Sequence, residues 1–146
     1  MNALRELYQQ TILDHCRQPH NFGSMEGFNR SAEGYNPLCG DRIRLYLRID
    51  EGVISKASFE GSGCAISTAS ASMMTDALSG ISEKAALQLL ACVLAMLTGS
   101  DEATELGKLK VLAGVREFPQ RVKCATLAWH TMEAALKNSQ APVSTE

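Results

Sequence analysis

The period of the apolar residues changes twice along this chain, from helical to two and back to helical, and those changes limit the architectures open to it. From Arg42 it is two: Ile43, Leu45, Leu47 and Ile49 alternate with Arg42, Arg44, Tyr46 and Arg48. Such alternation predicts a half-buried strand with a mostly basic outer face. Glu51-Gly52 supplies a tight turn, and Val53 to Glu60 returns as the second strand of a hairpin.

Beyond residue 64 the period becomes helical. Residues 65–79 place Ile66, Ala69, Met73 and Ala77 on one face and stop at Gly80. Residues 82–98 begin at Ser82, a good N-cap, and end before Gly99. A last helix over 121–137 buries Ala125, Ala128, Trp129, Met132 and Leu136, preceded by a short helical piece near 106–113.

At the other end, residues 3–16 carry Leu4, Leu7, Tyr8, Ile12 and Cys16 on one stripe, closed by Pro19. Residues 17–38 are irregular apart from a short strand within Phe28 to Tyr35. The expected fold class is α+β: a small antiparallel sheet with helices packed on one face. The expected domain organisation is one domain over 1–137 and a frayed polar tail over 138–146.

Composition narrows the function classes. A net charge of -2 with no basic block gives no footprint for nucleic acid. The densest apolar run, Leu89 to Leu97, would span only about 14 Å as a helix, too short for a bilayer. The first six residues lack the basic flank and apolar run of a secretory signal, so a cytoplasmic location is expected. Five cysteines in a reducing compartment are then better read as ligands, nucleophiles or core residues than as disulfides.

Three of the five sit where chemistry is favoured. Cys39 lies in the turn-rich Asn36-Pro37-Leu38-Cys39-Gly40-Asp41, just before a strand. Cys64 lies where a strand ends and a helix begins, and Cys124 lies near the start of the last helix beside Lys123. Unpaired N–H groups and the positive end of the dipole favour the thiolate at such places. Asp41 follows Cys39 by two residues, and Gly40 between them lets both side chains turn to one centre. Three thiolates and a carboxylate suit tetrahedral Zn²⁺ or cluster iron, with Lys123, Arg121 and Arg42 as offsetting cations. The oxygen ligand is the informative one, since a purely structural zinc site prefers Cys and His. The wide intervals from Cys39 to Cys64 and on to Cys124 match no simple zinc pattern, so isolated core cysteines remain the other reading.

Other residues take plainer roles. Cys16 and Cys92 continue apolar stripes and read as core, as do Met73 and Met74 as packing. His130 shares a solvated face with Thr126, Glu133 and Lys137, and His15 and His20 flank the end of the first helix. Arg42, Arg44 and Arg48 read as a solvated face, with docking of an acidic partner as the functional alternative.

Taken together, Asn36-Pro37-Leu38-Cys39-Gly40-Asp41, Phe59-Glu60-Gly61-Ser62-Gly63-Cys64-Ala65-Ile66-Ser67 and Arg121-Val122-Lys123-Cys124-Ala125-Thr126-Leu127-Ala128-Trp129 resemble the three signatures of the IscU/NifU/SufU family. Leu7-Tyr8, Asp14-His15, Pro19 and Asn21-Phe22-Gly23 resemble it too. Lys123, where the IscU branch has His, and the long stretch between Cys64 and Cys124 look like the SufU branch. The resemblance implies metal binding by Cys39, Asp41, Cys64 and Cys124 and partnership with a SufS-like cysteine desulfurase. It also implies delivery to downstream assembly factors or apo-proteins. Three functions stay open. One is a zinc-dependent acceptor of persulfide sulfur, with Cys39 as acceptor and Cys124 as runner-up. The second is a scaffold that builds a [2Fe–2S] cluster on the same residues. The third is a fold that zinc only stabilises.

Overall fold

A computed structural model describes residues 3–37, 40–98, 107–138 and 143–144. Helix α1 is Ala3–Arg17, followed by strands β1 (Arg30–Asn36), β2 (Asp41–Asp50) and β3 (Val53–Ser62). Helices α2 (Ala65–Leu78) and α3 (Glu83–Leu97) come next, then a 3-10 helix (Gly107–Glu117), α4 (Pro119–Leu136) and a two-residue strand β4 (Val143–Ser144). Strand order is β3-β2-β1-β4.

The three long strands form an antiparallel meander, as the alternation predicts. Its register is fixed by burial. Ile43, Leu45 and Leu47 have at most 6% of their surface exposed, and a one-residue slip would turn all of them to solvent. A bulge between Arg48 and Ile49 lets β3 follow the sheet's twist. Two features depart from the expectation. The strand sought within Phe28 to Tyr35 runs from Arg30 to Asn36, and β4 pairs with β1 in parallel, so the sheet is mixed. Val143–Ser144 lies in the polar tail, where nothing in the periodicity marks a strand.

The outer face is also less basic than the alternation suggests. Tyr46 is buried, stacked edge-on against Phe28, and its hydroxyl donates to Glu60. Arg44 pairs with Glu33 and Arg48 with Asp50, while Arg42 lies over the Tyr35 ring.

Helices α2 and α4 cover the inner face. Helix α2 is buried on most of its circumference because α1, α4 and β3 all pack on it. Small residues make this close packing possible, and its buried hydroxyls find partners. Ser70 Oγ, for example, donates to Ala125 O at 2.6 Å and accepts Trp129 Nε1–H at 3.1 Å. Gly34 serves the same purpose on β1, where a Cβ would come within 2.1 Å of Thr131 Oγ1 on α4.

Ser82 caps α3 as expected, accepting Ala85 N–H at 3.0 Å. Helix α4 starts two residues earlier than the apolar pattern suggests, with Pro119 at its first position. Met73 and Met74 are core residues, and Cys92 packs against the core half-buried. Among the described residues no helix is long and apolar enough to cross a membrane.

Candidate metal centre

Strand parity brings Asp41 inside. It is the first residue of β2, on the same face as Ile43 and Leu45, and it is fully buried. A carboxylate taken out of water needs hydrogen bonds and a cation to offset its lost hydration. Its Oδ1 accepts the backbone N–H of Cys64 at 2.8 Å. Its Oδ2 lies 3.5 Å from Asn36 Nδ2 and 3.9 Å from Cys64 Sγ.

Cys64 stands at the N-cap of α2, in extended conformation, and its Sγ accepts the N–H of Ser67 at 3.4 Å. Cys64 therefore occupies the helix-start position that the sequence indicates, with a backbone N–H directed at its sulfur. Two glycines before it make the approach possible. Gly61 has φ +146°, and a Cβ there would meet Arg42 O at 2.1 Å. A Cβ on Gly63 would sit 2.6 Å from Asp41 Oδ1.

Cys124 is different. It lies in the second turn of α4, fully buried, with Sγ 3.6 Å from Gln120 O and 3.7 Å from Asn36 Nδ2. So it gains little from the helix start, and the expectation of an anchored N-terminal thiol fits Cys64 better than Cys124. Asn36, itself fully buried, touches both Asp41 and Cys124 and was not among the predicted ligands. Its signal was present in the Asn36-Pro37 turn, since a buried Asn needs such partners.

One ligand atom each from Asp41, Cys64 and Cys124 falls within 4.8 Å of the other two. Of the four predicted site residues, these three converge; Cys39 lies outside the described residues. Of the predicted cations, Arg121 faces the thiols. Its guanidinium is held more firmly protonated by a hydrogen bond to Cys124 and by the charges of Cys64 and Cys124. Lys123 points elsewhere, into a cleft it lines with Thr126, His130 and Glu133. That cleft half-buries His130 and buries Thr126, so their face is less solvated than the helical wheel suggests.

The donor set decides which ion fits. Two sulfurs and one carboxylate oxygen suit Zn²⁺ or iron and are wrong for Mg²⁺ or Ca²⁺, which take oxygen. Three convergent donors leave one tetrahedral corner for a fourth ligand.

A helix-covered sheet whose end gathers two thiols and a buried carboxylate defines an α+β protein with a candidate site for a thiophilic metal. The chain belongs to the NifU-like N-terminal domain family, whose model matches residues 7–145. This is an iron–sulfur cluster assembly family that includes proteins named IscU and SufU. The chain is 43% identical over 141 residues to the iron–sulfur cluster assembly scaffold protein IscU of Streptococcus pyogenes serotype M1, covering 95% of this chain and 88% of that protein. It is 41% identical over 139 residues to the zinc-dependent sulfurtransferase SufU of Bacillus subtilis strain 168, covering 94% of each. A crystal structure of a SUF-system scaffold protein, SufU, from Fervidobacterium islandicum AW-1 superposes with a TM-score of 0.81 at 34% identity. That match covers 90% of this chain and 98% of the other.

Proposed function

We propose that this protein accepts persulfide sulfur from a cysteine desulfurase at a zinc site made by Cys39, Asp41, Cys64 and Cys124. The observation that carries the reading is the convergence of Asp41, Cys64 and Cys124 within 4.8 Å. The likeness to the Bacillus zinc-dependent sulfurtransferase supports the chemistry, and the donor set fits the ion. Bound there, Zn²⁺ supplies charge that keeps the thiols ionised and shielded from oxidation.

The chain's own residues do the rest. Asn36 and the Cys64 N–H hold the Asp41 carboxylate, and Arg121 adds positive charge beside the thiols. In the transfer, an acceptor thiolate attacks the outer sulfur of the desulfurase persulfide. A new S–S bond forms on this protein, the old one breaks, and the desulfurase cysteine leaves as a thiolate. No outside oxidant is needed. We assign the acceptor to Cys39. Cys64 is tied into the N-cap and Cys124 has no exposed surface, while position 39 comes two residues after Pro37 and directly before Gly40, whose φ is +69°. Peptide mapping after a single turnover tests this, with persulfide on Cys39 expected; sulfur found only on Cys124 would end the assignment.

The partner in this reading is a SufS-like cysteine desulfurase, with cluster assembly factors or apo-proteins downstream, in the cytoplasm. A second reading is supported by the Streptococcus relative, whose name is that of a scaffold. In it the same four residues hold a [2Fe–2S] cluster as cargo. A brown protein carrying iron and sulfide after purification without oxygen would favour that reading. A colourless one with one zinc at the cysteine site would favour the first.

A further inference from the structure

Helix α2 carries Cys64 at one end and Asp76 near the other, about 18 Å away along the axis at 1.5 Å per residue. At that far end it meets the last turn of α1 and the segment after it. His15 Nδ1 lies 2.7 Å from Ser72 Oγ, and the backbone N–H of His20 donates to the same oxygen at 2.8 Å. His20 Nδ1 lies 2.5 Å from Asp76 Oδ2, and the two imidazole rings stand 4.4 Å apart at 46°. Asn21 Nδ2 donates to Asp76 Oδ1 and to Thr75 Oγ1, each at 3.1 Å. One ligand atom each from His15, His20 and Asp76 falls within 4.8 Å of the others.

A His20–Asp76 ion pair would account for two of these side chains. The third, His15, is a buried imidazole that α1 brings to the same point, where Ser72 Oγ lies 2.7 Å from its Nδ1. Two imidazoles and a carboxylate whose donor atoms converge are a familiar donor set for a metal. We propose that His15, His20 and Asp76 form a second metal site, for a divalent first-row transition ion such as Zn²⁺, separate from the cysteine centre.

The surroundings have the form such a site needs. Ser72 holds His15, and Asn21 holds the second oxygen of Asp76, so partners outside the ligand set orient the donors. His20 and Asp76 side chains are 51% and 46% exposed, which leaves an open side for water or another ligand. An ion bound here would take the place of the direct His20–Asp76 contact. Their contact then opens from 2.5 Å to about 3.3 Å, the spacing of neighbouring donors on a tetrahedral ion with bonds near 2.05 Å. Two exposed side chains can make that move without disturbing the core.

This site is independent of the sulfur-acceptor reading, and zinc stoichiometry with cobalt spectroscopy on the full chain keeps the two apart. Wild type should retain two Zn²⁺ per chain through a wash with a micromolar-affinity chelator. His20→Ala and Asp76→Asn should each retain one, while the thiolate-to-cobalt absorption of Co²⁺-loaded protein stays unchanged. His15→Ala is unsuitable alone, because a buried ring is lost with it; the two exposed positions carry the test. A wild type that keeps a single Zn²⁺, or a second Zn²⁺ that survives in both variants, would overturn the proposal. Loss of the cobalt–thiolate absorption in wild type would count against the cysteine centre instead.

Discussion

Asp41 Oδ1 accepts the backbone N–H of Cys64 at 2.8 Å, and this bond joins the first residue of β2 to the N-cap of α2. The carboxylate is thus positioned by the very element that presents the thiol. Asp41→Ala removes a proposed ligand and leaves that N–H without its acceptor. Zinc retention should fall below one tenth at the cysteine centre, with a stability loss of about 1–3 kcal/mol. Elemental analysis and urea denaturation check both. Asp41→Cys should instead hold zinc more tightly and release it more slowly to a chelator.

Gly63 matters for space alone. A Cβ there would come 2.6 Å from Asp41 Oδ1, and backbone and carboxylate cannot both stay in place. Gly63→Ala should therefore weaken zinc binding about 10–100-fold, the range seen when groups supporting metal ligands are disturbed. Competition with a chromophoric chelator measures it; unchanged affinity would show that the carboxylate has room to shift.

Ser70 bridges α2 to α4 by donating to Ala125 O and accepting from Trp129 Nε1. Ser70→Ala strands a buried indole N–H and a carbonyl, so it should cost about 1–3 kcal/mol in urea denaturation. Trp129 is the chain's only tryptophan, so a shift in its emission reports the same loss directly. Emission and stability that both match wild type would contradict this bridge.

Much of this arrangement is legible in the sequence, for identifiable reasons. Alternation from Ile43 to Ile49 and the Ser82 cap are local signals, and the strands and helix they mark are present. Pro119 is also a local signal, a proline at a first helical position, and it marks the start of α4 that the apolar pattern leaves out. Non-local pairings leave weaker traces. Nothing near Val143 foretells that it lies beside Gly34, and nothing near Tyr46 foretells that Phe28 and Glu60 bury it. At the site, the motifs point to Asp41, Cys64 and Cys124, and parity alone then turns Asp41 inward. Orientation around α4 is harder to read. Lys123 adjoins Cys124 in sequence but faces another cleft, while Arg121 is the cation beside the thiols.

Chelation separates a functional ion from a structural one. The hydrophobic cluster that includes Leu45, Leu47, Met74, Trp129 and Met132 contains none of Asp41, Cys64 and Cys124. Metal-free protein should accordingly keep its far-ultraviolet circular dichroism and a cooperative urea transition. Unfolding on chelation would assign the metal to the fold.

The most direct measurement is the intact mass of the zinc-loaded protein after incubation with its cysteine desulfurase and cysteine. A gain of one sulfur atom, accompanied by faster desulfurase turnover, is the predicted result. No gain and no acceleration would contradict the acceptor role and leave the cluster scaffold as the function of these residues.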